Sequence, residues 1–260
     1  MIIDTHAHID DNCFDGIRDE IIETSLNSGI TKIINPSISE KNFQKIEAIS
    51  KKFSCIYSAY GLHPLNADEF SKNSLISIES FIKYNKKAIA IGEIGLDFKY
   101  DSPNRESQVK CFTEQVKLAV DMSCPILIHC RRAFYKVYTI LKKYWNKNIP
   151  GIMHAYSGSI EMAENFIKLG FFISISGSVT YPNAKKPIIL AQKLPLTSMV
   201  IETDSPDMTP HAYKGEKNKP FYIRETLKKI ACLRNSKESD IEETIYQNSL
   251  NFINYSDDNL

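Results

Sequence analysis

Charge of one sign is what this sequence most plainly lacks. Its 32 Lys and Arg face 31 Asp and Glu, a formal +1 over 260 residues with neutral histidines. The global charge therefore does not announce a nucleic-acid-binding or membrane-surface protein, and affinity for a polyanion has to come from a local patch. Long apolar runs are missing too: none approaches the roughly 18 residues of a membrane-spanning helix. The amino terminus runs straight into Asp4 and His6, with no basic segment followed by an apolar core, so no signal peptide is expected. The six cysteines, at 13, 55, 111, 124, 130 and 232, form no C-x-x-C pair and no short framework. That suits reduced thiols in a cytosol and excludes a zinc ribbon. Internal repeats, low-complexity tracts and linkers are absent. The expectation is a cytoplasmic protein with one α/β domain over residues 1–260, long enough to bury a core without disulfide staples.

What is present is a recurrence. Short apolar runs rich in β-branched residues fall at 2–3, 31–34, 54–59, 88–91, 125–128, 151–153, 171–175 and 198–201, and each reads as a strand. Between most of them lie segments of helical spacing, such as Val109, Phe112, Val116 and Ala119, or Phe134, Val137, Ile140, Leu141 and Tyr144. Ser159 is placed to cap a helix that Gly170 stops, and Gly29 to end a helix over 18–28. Strand and helix alternating eight times predict a (β/α)8 TIM barrel. An open doubly wound sheet is the alternative, but no Gly-rich phosphate loop follows the first run. After the eighth run, 209–219 reads as a long loop, followed by helices near 220–234 and 238–253. The polar tail 255–260 is expected to fray.

The chemistry-bearing residues fall at the ends of these runs. His6 and His8 alternate in register at the end of the first, so an extended chain points both the same way. Glu93, His129, His154 and Asp204 follow the fourth, fifth, sixth and eighth. In a barrel that face holds the active site, so all six side chains are aimed into one mouth. Singly, each has an ordinary alternative: a satisfied core histidine at His129, a turn cap at His154, a backbone-bonded loop carboxylate at Glu93, a turn initiator at Asp204. Together, buried imidazoles and carboxylates are costly unless paired or bound to metal, and their convergence points to metal.

These stretches carry a family resemblance. DTHAHID, YGLHP, IGEIGLDF, ILIHCRR, MHAYSGS and IETDSPDM, in this order and spacing, resemble the TatD family of metal-dependent deoxyribonucleases within the wider amidohydrolase-type barrels. IETDSPDM followed by KGEKNKP is similar to its YjjV-like branch. The resemblance spans residues 2 to about 254 and implies a divalent metal site with His6, His8, Glu93, His129, His154 and Asp204 as ligands. Such a set suits two ions. His6, His8 and Asp204 would hold one, His129 and His154 the other, with Glu93 bridging, at the roughly 3.5–4 Å separation of two-metal hydrolytic sites. Nitrogen and oxygen ligation without thiolate fits Zn, Mn, Co, Ni or Mg, and the many imidazoles favour Zn or Mn over Mg. Glu93 and Asp204 are the catalytic candidates, Asp204 as proton acceptor from the activated water.

Substrate contacts are expected from His63 at the end of the third strand, from Arg131 and Arg132 opening the helix after the fifth, and from Lys214 and Lys217 in the loop after the eighth. Family members often carry Arg where Lys214 falls, a departure that bears on bidentate phosphate recognition. Tyr156 and Tyr181 stand beside strand ends, where aromatic rings more often pack than stack a base. Cys130 reads as a small packing residue, not a nucleophile. The expected activity is hydrolysis of DNA by a monomer with no obligate protein partner and no membrane association. The alternatives are an esterase or amidase on the same scaffold, such as a D-aminoacyl-tRNA deacylase, and a metal-stabilised interaction protein without turnover. No strand-end Lys stands ready for carboxylation as a metal bridge, which weighs against a cyclic amidase. Changing His6 or His8 to Ala is expected to remove one ion and most turnover while leaving the barrel folded. Elemental metal analysis beside circular dichroism measures both, and global unfolding of either variant would make the pair structural instead.

Overall fold

In the computed structural model, which describes residues 1–99 and 103–259, the eight apolar runs become eight parallel strands. They are β1 (Ile2–Asp4), β2 (Ile30–Pro36), β3 (Ile56–Tyr60), β4 (Ala88–Asp97), β5 (Ile126–Arg131), β6 (Gly151–Met153), β7 (Phe171–Ile175) and β8 (Met199–Ile201). Each strand pairs with the next in chain order, as a barrel requires. Helices α1 (Arg18–Asn27), α2 (Phe43–Lys52), α3 (Lys72–Tyr84), α4 (Arg105–Asp121), α5 (Phe134–Tyr144), α6 (Ile160–Ile167) and α7 (Lys185–Lys193) fill the crossovers. Two more, α8 (Ile223–Arg234) and α9 (Glu238–Asn259), follow the eighth strand. No described helix is long and apolar enough to cross a membrane.

Alternation along the strands divides the apolar residues between two cores. Ile3, Ile34, Ala59, Leu127, Ile152 and Val200 face inward and meet Phe252 and Ile253 of α9, which stops one end of the barrel. Their neighbours Ile2, Ile33, Ile126, Ile128, Met153, Ile173, Met199 and Ile201 face outward onto the helices. There they meet Phe112, Val116 and Ala119 of α4 and Val137, Ile140 and Leu141 of α5, the rows that the helical spacing predicts. Ser159 caps α6 by accepting from the Met162 N–H at 3.3 Å. Gly170 turns the chain into β7 at φ +89°, in the left-handed region that favours glycine.

β2 and β5 run a few residues past their predicted ends, and β4 and α9 run furthest beyond them. β4 continues past Gly92 to Asp97, with its register to β5 shifting between Ile91 and Ile94, so Glu93 stands inside the strand. Gly95 permits this: at φ +152°, a Cβ would lie 1.9 Å from the His129 carbonyl oxygen. α9 stays helical to Asn259 where fraying is expected, since each added residue continues an established hydrogen-bond ladder; Leu260 lies outside the described residues. The 209–219 loop holds a short 3-10 turn, His211–Tyr213, and a second such turn, Pro220–Tyr222, precedes α8.

The barrel closes between β1 and β8 through few bonds. The Thr5 N–H donates to the Ile201 carbonyl at 3.2 Å, Asp204 N–H to the His6 carbonyl at 2.8 Å, and His8 N–H to the Ser205 carbonyl at 2.8 Å. Asp4, wholly buried, adds a side-chain clasp: it accepts from the Thr203 N–H at 2.9 Å and the Thr203 hydroxyl at 2.5 Å. Removing the carboxylate by Asp4→Ala strands these donors and is expected to cost about 1–3 kcal/mol in chemical denaturation. A loss below 0.5 kcal/mol would show that the seam closes without the clasp.

Candidate metal centre

The seam places His6, His8 and Asp204 side by side at the mouth, and the other strands bring the rest. His6 and His8 approach at 3.3 Å between Nε2 atoms. Glu93 turns its two oxygens to different neighbours. Oε2 lies 3.3 Å from His6 Nε2 and 3.7 Å from His8 Nε2. Oε1 lies 2.9 Å from His129 Nδ1 and 3.7 Å from the Nε2 atoms of His154 and His63. Asp204 reaches His6, His8 and His154 at 3.8, 3.7 and 3.7 Å. The other five ligand candidates, and His63, therefore gather around Glu93. Two triads with compact donor atoms stand out there: His6 with His8 and Glu93, and His63 with Glu93 and His129.

Behind the inner residues stand carboxylates that sequence reasoning passed over. Glu202 Oε1 lies 3.0 Å from His154 Nδ1 and accepts the Ala155 N–H at 2.6 Å. Asp97 Oδ2 lies 3.2 Å from His129 Nε2. His8 Nδ1 lies 3.2 Å from the Pro36 carbonyl oxygen, which only accepts, so Nδ1 carries the hydrogen and Nε2 keeps its lone pair. Such outer partners fix ring orientation and tautomer at metal sites. The available signal was position: Glu202 and Asp97 lie within IETDSPDM and IGEIGLDF.

Electrostatics follow from burial. Burial drives the His6 imidazole down to about 4, helped by neighbouring His154, to which its ring is stacked at 3.6 Å. Burial would lower His154 as well, but Glu202, Asp204 and Glu93 outweigh it and push the imidazole up to about 10. Burial would raise Glu93, yet His6, His63 and His154 hold it well below the usual carboxylate range. Asp204 is pushed up to about 6 by burial, against the pull of His154 and His8. The backbone here is strained as well: Arg132, Ala155, Asp204 and Met208 all have left-handed φ of 40–56°, costly for non-glycine residues and frequent where function over-determines the chain.

The centre opens into a cavity of about 950 Å³ lined by His8, His63, Glu93, His129, His154 and Asp204. Arg131 also lines it, as the last residue of β5 instead of the first of α5. Arg132 occupies the left-handed turn before α5 and is not among the lining residues; Lys214 and Lys217 are not either. Lys217 nevertheless sits near the cavity wall, where it helps lower the Asp11 carboxyl. His63 follows β3 by three residues and caps a 3-10 turn, its Nδ1 accepting the Leu65 N–H at 3.2 Å. That leaves the hydrogen on Nε2, directed at the cavity. Tyr156 is packed, its ring edge-on to Phe134 and its hydroxyl donating to the Ser159 carbonyl. Cys130 is buried, and burial raises its thiol far above the range of a nucleophile.

The family model described as TatD related DNase matches residues 3–254. The chain belongs to the TatD family of metal-dependent hydrolases. Among TatD relatives, the uncharacterized metal-dependent hydrolase YjjV of Escherichia coli is 34% identical over 97% of both chains. The uncharacterized metal-dependent hydrolase YabD of Bacillus subtilis is 33% identical over 96% of this chain and 97% of its own. The crystal structure of the E. coli TatD homologue YjjV superposes with a TM-score of 0.92 over 97% of this chain and 98% of that one. A TatD family hydrolase from Entamoeba histolytica, 20% identical, shares the fold with a TM-score of 0.88 over 97% of each chain.

The TatD residues present fit a divalent cation. His6 Nδ1 is buried with no partner among the described residues, and two imidazole Nε2 atoms face each other beside two carboxylates. Nitrogen and oxygen donors without thiolate are satisfied together by Zn or Mn. For His154 to act as a ligand its proton has to leave first, because it is the lone pair that binds a metal. Glu202→Gln is expected to weaken Zn affinity roughly 10–100-fold. It should also release fewer protons on loading at pH 7, since the group that raises His154 is gone. Competition with a chromophoric chelator and calorimetry in two buffers measure these, and unchanged affinity would make Glu202 a packing residue.

Proposed function

We propose that the protein is a deoxyribonuclease that hydrolyses phosphodiester bonds with a metal-activated water, using two divalent ions. The observation that supports it is the gathering of five imidazoles and Asp204 around Glu93 at the mouth of a TatD-family barrel. His6, His8 and Asp204 would hold one ion, His129 and His154 the other, and the two differently directed oxygens of Glu93 suit a bridge. Bound ions would supply Lewis acidity and lower the pKa of water at neutral pH. Asp204 accepts the proton of the attacking water, its carboxyl having been brought by burial to about 6, near the working pH. His63 donates Nε2–H to a phosphate oxygen, and Arg131 at the rim binds the phosphate of the same strand. Outer residues Asp97 and Glu202 hold the rings of His129 and His154 in place.

A second reading is favoured by one observation. Asp10 and Asp11 also line the cavity, and their side suits a cationic group such as the α-ammonium of an aminoacyl ester. One comparison separates the readings: Zn-, Mn- and Mg-loaded protein against 3′-labelled single-stranded DNA and an aminoacyl-tRNA analogue, beside Glu93→Ala. DNA cleavage that drops at least 100-fold in Glu93→Ala is expected. Cleavage of the ester alone would support the deacylase, and cleavage of neither would leave a metal-stabilised binding protein. Equal activity in Glu93→Ala would mark contamination.

A further inference from the structure

Beside the cavity lies a second hollow that the reaction leaves unused. It measures about 500 Å³ and is lined by Ser178, Tyr181, Asn183, Ala184, Thr209 and Gly215, with Met208 lining both spaces. Its size falls in the roughly 300–1,000 Å³ range of small-ligand subsites, enough for one nucleotide. Its walls are the segments after β7 and β8, and they are tied together. The Tyr181 hydroxyl donates to the Thr209 carbonyl at 3.1 Å, His211 N–H to the Thr180 hydroxyl at 2.8 Å, and Thr209 hydroxyl to the Glu216 carbonyl at 2.9 Å. Gly177 permits the close approach, since a Cβ there would lie 2.6 Å from the Met208 carbonyl oxygen. The hollow is thus preformed, and the Tyr181 ring, edge-on to His211 at 5.3 Å, is fixed within it.

Charge is arranged unevenly around the mouth. Asp10 and Asp11 stand on the β1 side of the cavity. On the hollow's side, Lys185 and Lys186 open α7 directly after Ala184, and Lys214 precedes Gly215. All three lysines are exposed and form no ion pair among the described residues. The acidic residues near this path are Asp207, on the cavity side of Met208, and Glu216, whose carboxylate already accepts the Tyr222 hydroxyl at 2.7 Å. On the β1 side Asp11 has Lys217 close enough to help lower its carboxyl and Asp10 accepts from Asn42 Nδ2, so that side is mixed in charge, and a phosphodiester chain held at the metal centre is attracted more strongly toward the lysines beside the hollow.

We propose that the strand of single-stranded DNA leaves the metal centre over Met208 and enters this hollow, where Tyr181 stacks one base and Lys185, Lys186 and Lys214 neutralise the following phosphates. The proposal rests on the deoxyribonuclease reading and gives it a substrate form and a direction across the mouth. Base stacking on a fixed aromatic ring is tolerant of sequence, and phosphate neutralisation is salt-dependent. A nearly neutral protein can therefore bind DNA through this one patch.

The test reads binding apart from catalysis. Chelator-treated protein is titrated into fluorescein-labelled oligo-dT, with anisotropy followed at several salt concentrations, for the wild type, Tyr181→Ala and the double variant Lys185→Glu/Lys186→Glu. Tyr181→Ala is expected to weaken binding roughly 5- to 100-fold. The lysine variant should flatten the slope of log affinity against log salt by about 1.4 if two phosphates are released. With metal restored, the loss should fall on KM for the oligomer and not on kcat. Wild-type affinity in both variants, no wild-type binding at all, or displacement of the oligomer by poly-glutamate as readily as by unlabelled DNA would overturn the proposal. Binding that depends on the hollow without any cleavage would support it while removing the deoxyribonuclease reading.

Discussion

The candidate centre depends on how the first strand meets the eighth. A few main-chain bonds, the Thr5 hydroxyl donating to the Ile201 carbonyl and the Asp4–Thr203 clasp close the barrel there, and His6, His8 and Asp204 sit on the two sides of that join. A one-residue slip would turn both histidines outward, because side chains alternate faces along a strand. The clasp thus fixes register as well as closure. It links the stability of the fold to the spacing of three groups that have to meet within a few ångströms.

Burial sets the second constraint. Four imidazoles and two carboxylates cannot be desolvated together without compensation. The protein compensates in layers. His154 keeps a proton between Glu202, Asp204 and Glu93, while neighbouring His6 is neutral, which lets the two rings stack. A divalent cation supplies in one place the positive charge that the His154 proton supplies in its absence. The same argument explains why Glu202 and Asp97 are buried: each orients an imidazole whose other nitrogen faces Glu93.

The mouth shows how a neutral chain can treat two rims differently. Aspartates of the β1 segment face an arginine at the end of β5, and the lysines lie farther out beside the hollow next to β7 and β8. Net charge near zero averages over this asymmetry. Left-handed backbone at Arg132, Ala155, Asp204 and Met208 places side chains where relaxed strand ends would not.

The sequence by itself determined the strand order, the outer helical rows and the six residues gathered at the mouth. These rest on local periodicity and on the rule that barrel strands share one direction, so residues after each run reach the same face. His63 was also legible, as a strand-end histidine, though its tautomer was not. Tertiary structure alone decided the rest. Glu93 lies inside β4 because Gly95 lets the chain pass His129 closely, a contact between segments 34 residues apart in the chain. Arg132, Lys214 and Lys217 do not line the cavity: Arg132 stands in a left-handed turn, Lys214 follows a 3-10 turn, and Lys217 sits close enough to Asp11 to help lower its carboxyl, placements that no spacing rule encodes. Asp4, Asp97 and Glu202 matter only through partners on other strands. Periodicity reports which face a residue occupies; only packing reports which group it meets there.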